Sequence, residues 1–209
     1  MRRDVPSLRV VLPGDVWSGG VSAVAKAAAA VLVAVAGLLG AAVAPVLADQ
    51  PAPEQSTAQY EIDFLTGMID HHAMAVETAE MCVEKAIHEE LRTLCQEIIE
   101  AQTAEIETMQ SWLEEWYGVT YEPSMSSGDM QRMERMARMD TEDFEVAFME
   151  MMTRHHRTAI REASGCMEHA SHAALVELCQ RIIETQSEEI TVMQQWLCDW
   201  YDRCRGHAA

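Results

Sequence analysis

Residues 64–79, FLTGMIDHHAMAVETA, hold adjacent histidines, His71 and His72, with Met68 before them and Met74 after. Residues 148–163, FMEMMTRHHRTAIREA, repeat the pattern 84 positions on with Met152, His155 and His156. Imidazole and thioether together are soft-to-intermediate donors that suit copper, the thioether favouring the reduced ion. The competing ferritin-type chemistry, a di-iron or di-manganese centre, needs glutamates on two helices and Glu-x-x-His on the other two. Here Met68 precedes His71 by three and Met152 precedes His155 by three, so that motif is absent at the inward histidines. A satisfied Glu–His pair holding helices together is the plain alternative. It accounts for one histidine per copy, but not for a doubled histidine beside methionine in both.

The elements that must position these groups are helices. Phe64, Met68, His71, Ala75, Ala79 and Cys82 advance by three or four, one face of an α-helix. This phase points His71 inward with Met68 and leaves His72, rotated by about 100°, at the edge of the stripe. A second stripe, Ile98, Gln102, Glu105, Met109, Trp112 and Trp116, has the same period. The two segments therefore form an antiparallel hairpin about a turn at Ile87-His88, ending at Gly118. Counting from that turn sets His71 level with Glu105 and Met68 with Met109. The second copy pairs His155 with Glu189 and Met152 with Met193. About half of residues 64–117 recur identically 84 positions later without a gap, which indicates an internal duplication.

The predicted fold is thus all-α: a four-helix bundle made of two duplicated antiparallel helical hairpins, with a short Met-rich helix in the connection. Helices are expected from Thr57, as the cap, to about Ala86, then to about Tyr117, then about Thr141–Ala170 and Ala173–Tyr201. The first hairpin takes residues 57–117, the linker 118–140 and the second hairpin 141–204. Met130, Met133, Met136 and Met139 recur every three residues in the linker; they either pack the connecting helix on the bundle or offer further thioethers, and packing is favoured. Trp112, Trp116, Trp196 and Trp200 follow the inward stripe toward the helix ends away from the turns, where they are expected to form apolar layers that wall the polar centre from water.

Residues 1–48 read as an export signal: Arg2, Arg3, Arg9 and Lys26 are basic, residues 27–44 are apolar and small, and Val46-Leu47-Ala48 suits cleavage. Residues 27–47 could instead stay as a membrane anchor, since ~20 residues span a bilayer. Residues 49–56, with two prolines, form a leader. Six cysteines in an exported chain favour disulfides, Cys82–Cys95 and Cys166–Cys179 flanking the two turns. The competing reading is a Cys–His–Cys metal site with His88 or His172. The formal charge of −19 excludes a nucleic-acid partner, which needs a basic surface. No nucleophile–base pattern or phosphate loop points to an enzyme.

MIDHH followed by QTAEIETMQSW, and MMTRHH followed by QSEEITVMQQW, resemble the family catalogued as domain of unknown function 305. The resemblance covers nearly all of residues 58–201. It implies a ferritin-like exported four-helix bundle lined by Met and His, with copper binding or copper tolerance as its role. Carried over by position, it implies a metal site at Met68, His71, His72, Met109, Met152, His155, His156 and Met193; the level-matching of the helices, not the resemblance, adds Glu105 and Glu189 as candidate donors. Thr158 stands where the first copy has Met74, so the halves are expected to bind unequally. A bundle whose polar layer only fixes helix register, and a metal-dependent oxidase, are the competing functions.

Overall fold

The helical stripes are realised as five α-helices in a computed structural model that describes residues 50–204. They are α1 Gln55–Lys85, α2 Glu89–Tyr117, α3 Ser127–Ala137, α4 Thr141–His169 and α5 Ala173–Tyr201. The expected export signal lies outside the described residues, and among those no helix is long and apolar enough to cross a membrane. The helix starts near Thr57 as expected, but Glu54 holds the N-cap position and no side chain caps it. α2 ends on Gly118 at φ 64°, with the Gly118 and Val119 amides returning to the carbonyls of Glu114 and Leu113. Glycine takes this left-handed turn without steric cost.

α1 packs on α2 and α4 on α5, each pair a hairpin, and α1 against α4 joins the hairpins. Two apolar clusters form the core. One combines the C-terminal half of α1 and the N-terminal half of α2 with Phe144, Phe148 and Met152 of α4 and Met193 of α5. The other combines Phe64, Met68 and Met109 with Ala159, Ala163 and Leu175. Each turn therefore lies at the open end of the other hairpin. Cys82–Cys95 and Cys166–Cys179 are disulfides beside the two turns, and Cys198–Cys204 is a third.

This antiparallel arrangement lets each hairpin cap the other. Glu145 of α4 is fully buried and accepts from the Ile87 and His88 amides at 2.6 and 2.9 Å, and from His88 Nδ1 at 2.6 Å. Glu61 of α1 is equally buried and accepts from the Ser171 and His172 amides at 2.6 and 3.1 Å, and from His172 Nδ1 at 2.5 Å. Tyr201 and Tyr117 donate to the same two carboxylates. Neither α2 nor α5 has a side-chain cap of its own, so the orphan amides at each start find an acceptor across the bundle.

The tryptophans lie toward the helix ends away from their own turns, in the apolar clusters, as expected. Trp116 stacks on His172 at 3.8 Å and Trp200 on His88 at 3.9 Å, so they cover the turn networks at the ends and not the polar centre. His88 and His172 bind carboxylates beside the disulfides, which corrects the Cys–His–Cys alternative.

In the connection, Met136 of α3 is buried in a core cluster while Met130 is exposed. Lys85 Nζ donates to the Ala137 and Met139 carbonyls at 2.9 and 2.8 Å, closing the C-terminal end of α3.

Candidate metal centre

Adjacent helical residues diverge by about 100°, and α1 has two neighbours to face. His72 turns to α2 and is fully buried, its Nε2–H donating to Glu105 Oε2 at 2.7 Å. His71 turns to α4 and is only half-buried. This reverses the expected phase: the histidine level with Glu105 is His72, because the α2-facing stripe runs through Leu65, Met68, His72, Ala75 and Ala79. In the second hairpin His155 is buried as expected, but the histidine level with Glu189 is His156. His156 is fully buried with Nε2 2.7 Å from Glu189 Oε2, in ion-pair range but without hydrogen-bond alignment. Gln102, Gln186 and Thr153 are also buried. Met68, Met109, Met152 and Met193 are at most 1% exposed, packed in the apolar clusters to either side.

His71 and His155 meet where α1 crosses α4. Their rings stack at 3.5 Å, 17° from parallel. His155 Nε2 lies 3.1 Å from the His71 carbonyl, which can only accept, so the His155 proton sits on Nε2 and the Nδ1 lone pair is left over. Burial, then the neighbouring histidines, lowers the His71 pKa to about 4; the same causes hold His155 well below its ordinary value. Both rings are therefore neutral at physiological pH, the form that ligates metal. His71 Nε2 and His155 Nδ1 are buried and have no hydrogen-bond partner.

The two rings border an open cleft of about 670 Å³ lined also by Met74, Met125, Met151 and Asp129. Met74 comes from α1, Met151 from α4 and Met125 from the strap that precedes α3. A cation fits this set: two orphaned neutral imidazole nitrogens beside thioethers are ligands for a soft ion. Among the described residues no three His, Cys, Asp or Glu side chains gather where they could share an ion, so the carboxylate-rich di-iron set is not assembled there.

The structure thus brings His71 and His155 together, pairs His72 with Glu105 and His156 with Glu189, and keeps the four expected methionines in the core. Sequence reasoning passed over Met125 and Met151. Met151 replaces Gly67 at its repeat position, and Met125 lies outside the repeat, so neither shows as a shared feature. It also passed over the caps Glu61 and Glu145, whose signal was present as an identical acidic residue on the inward stripe 84 positions apart.

The family model described as Domain of unknown function (DUF305) matches residues 61–197. Among solved structures, CopM in the Ag-bound, Cu(I)-bound and Cu(II)-bound forms each matches with 31% identity and TM-score 0.61, over 68% of this chain and 97% of that one. A DUF305 protein of Streptomyces coelicolor described as a "putative secreted protein" matches with 25% identity and TM-score 0.59, over 67% of this chain and 91% of that one. Among curated proteins, none matches. With a family model spanning more than half its length and CopM matching at 31% identity over 68% of it, the chain belongs to the DUF305 family.

Proposed function

We propose that this protein is an exported copper-binding protein that buffers or carries the ion at the cleft between α1 and α4. The observation that carries the reading is the stacked, neutral pair His71 and His155, each with an unpartnered buried nitrogen beside a methionine-lined cleft. Imidazole and thioether donors favour Cu(I) over harder divalent ions. The solved forms of CopM with Cu(I), Cu(II) and Ag support the same class of ligand. Export is supported by the basic, then apolar, N-terminal sequence, by three disulfides, and by the description of the Streptomyces coelicolor relative.

His72 and His156 serve in this reading as buried partners of Glu105 and Glu189. A second reading puts the ion inside the bundle on His72 and His156, whose Nδ1 atoms are also unpartnered, with Met68, Met109, Met152 and Met193 around them. Competition of the purified protein against a chromogenic Cu(I) chelator separates the two. His71→Ala with His155→Ala should lose tight Cu(I) binding and keep a helical spectrum. His72→Ala with His156→Ala should keep binding and lower stability. The opposite pattern establishes the interior site, and unchanged affinity in both doubles overturns the copper function at these histidines.

A further inference from the structure

Asp70 precedes His71 by one residue, and its carboxylate faces the strap between α2 and α3. It accepts from the Ser124 amide at 2.7 Å, from Tyr121 OH at 2.8 Å and from Ser124 Oγ at 3.2 Å. Gln110 Nε2 holds the Tyr121 carbonyl at 2.9 Å. The strap is thereby tied to α1 at the level of the histidine pair, and the next residue, Met125, is half-buried in the wall of the cleft. The second copy differs at this point: the residue 84 positions after Asp70 is Arg154.

We infer that Met125 is a metal ligand that sets the preference of the cleft for a monovalent soft ion, and that Asp70 is the residue that positions it. This rests on the cleft as the copper site. Three thioethers from three separate elements, Met74, Met151 and Met125, then surround the two imidazoles. Met125 is the one whose presence depends on a tertiary tie and not on a helix. Thioether sulfur binds Cu(I) and Ag(I) well and Zn(II) or Cu(II) poorly, so its removal weakens binding of the soft ions selectively. Met→Leu conserves volume and removes only the sulfur.

The test uses purified protein, Ag(I) as a redox-stable probe and Cu(I) by chelator competition. Met125→Leu should lower Cu(I) and Ag(I) affinity by about tenfold, the low end of the loss seen when supporting groups of metal sites are removed, with Zn(II) affinity unchanged. Asp70→Ala should give the same selective loss, and the double variant should be no weaker than Met125→Leu alone, as coupled positions require. With [methyl-13C]methionine, the Met125 methyl resonance should shift on adding Ag(I) in wild type and stay put in Asp70→Ala. If His71→Ala with His155→Ala abolishes binding while Met125→Leu leaves the soft-ion affinity intact and its methyl does not respond, this inference fails and the copper site stands. If the histidine double leaves binding intact, the copper site itself fails.

Discussion

Glu61 on α1 and His172 at the start of α5 meet at 2.5 Å, and through that contact the first hairpin caps the second. Glu145 and His88 return the contact at the opposite end at 2.6 Å. Each carboxylate is fully buried and collects amide, imidazole and phenol donors. Replacing Glu61 by Ala leaves these donors without an acceptor, for which a loss of about 3 kcal/mol is expected. Glu145→Ala should cost the same, and the two should add, since the sites share no partner. Equilibrium denaturation measures this; a loss below about 1 kcal/mol would show that water replaces the carboxylate.

Acid should unfold the protein through the same two groups. Burial works to raise the Glu61 and Glu145 pKa values, but the hydrogen bonds from Tyr117 and the Ser171–His172 turn, and from Tyr201 and the Ile87–His88 turn, outweigh it and lower both. A lowered folded pKa contributes stability that is fully present above the unfolded value, 4.5, and is lost as pH falls through the folded value. Melting temperature should therefore hold from neutral pH to about 5 and drop below about 4.5. Glu61→Gln with Glu145→Gln should make the acid limb shallower, and an unchanged slope would assign acid unfolding to other carboxyls.

Cys82–Cys95 and Cys166–Cys179 each close a loop with a sequence separation of 13. On the chain-entropy model each contributes about 3 kcal/mol. Cys82→Ala with Cys95→Ala should lower stability by about that amount, and the second pair by the same, because the loops are equal in length. Cys198–Cys204 ties the tail after α5 and should contribute less. Peptide mapping without reduction checks the pairing, and denaturation of the paired variants checks the magnitudes.

Asp202 follows α5 at φ 53°, where Gly118 follows α2 at φ 64°. A left-handed residue with a side chain costs about 1–2 kcal/mol, part of which glycine returns through the freer unfolded chain. Asp202→Gly should stabilise by about 0.5 kcal/mol and Gly118→Ala should destabilise by about 1 kcal/mol. Thermal unfolding reads both signs, and destabilisation by Asp202→Gly would mean that the Asp202 side chain contributes more than its backbone costs.

Helix period, turn residues and the 84-residue repeat are local or self-referential features, and they were enough to place four long helices within about three residues of their observed ends. The donor types were legible for the same reason: His71, His72, His155 and His156 stand beside methionines whatever the fold does. Which histidine of each pair faces which neighbour was not legible. A helix packed on two others buries more than one stripe, and a rotation of about 100° separates adjacent residues, so only the positions of α2 and α4 decide that His72 meets Glu105 while His71 meets His155. The methionines show the same division. Met68 and Met152 lie on the predicted stripe and pack in the core, whereas Met125 reaches the cleft because Asp70 holds the strap there. The capping of each turn by the opposite hairpin likewise depends on the antiparallel setting of the two hairpins. Sequence spacing measures distance along a helix, but a contact between elements far apart in the chain depends on how they pack.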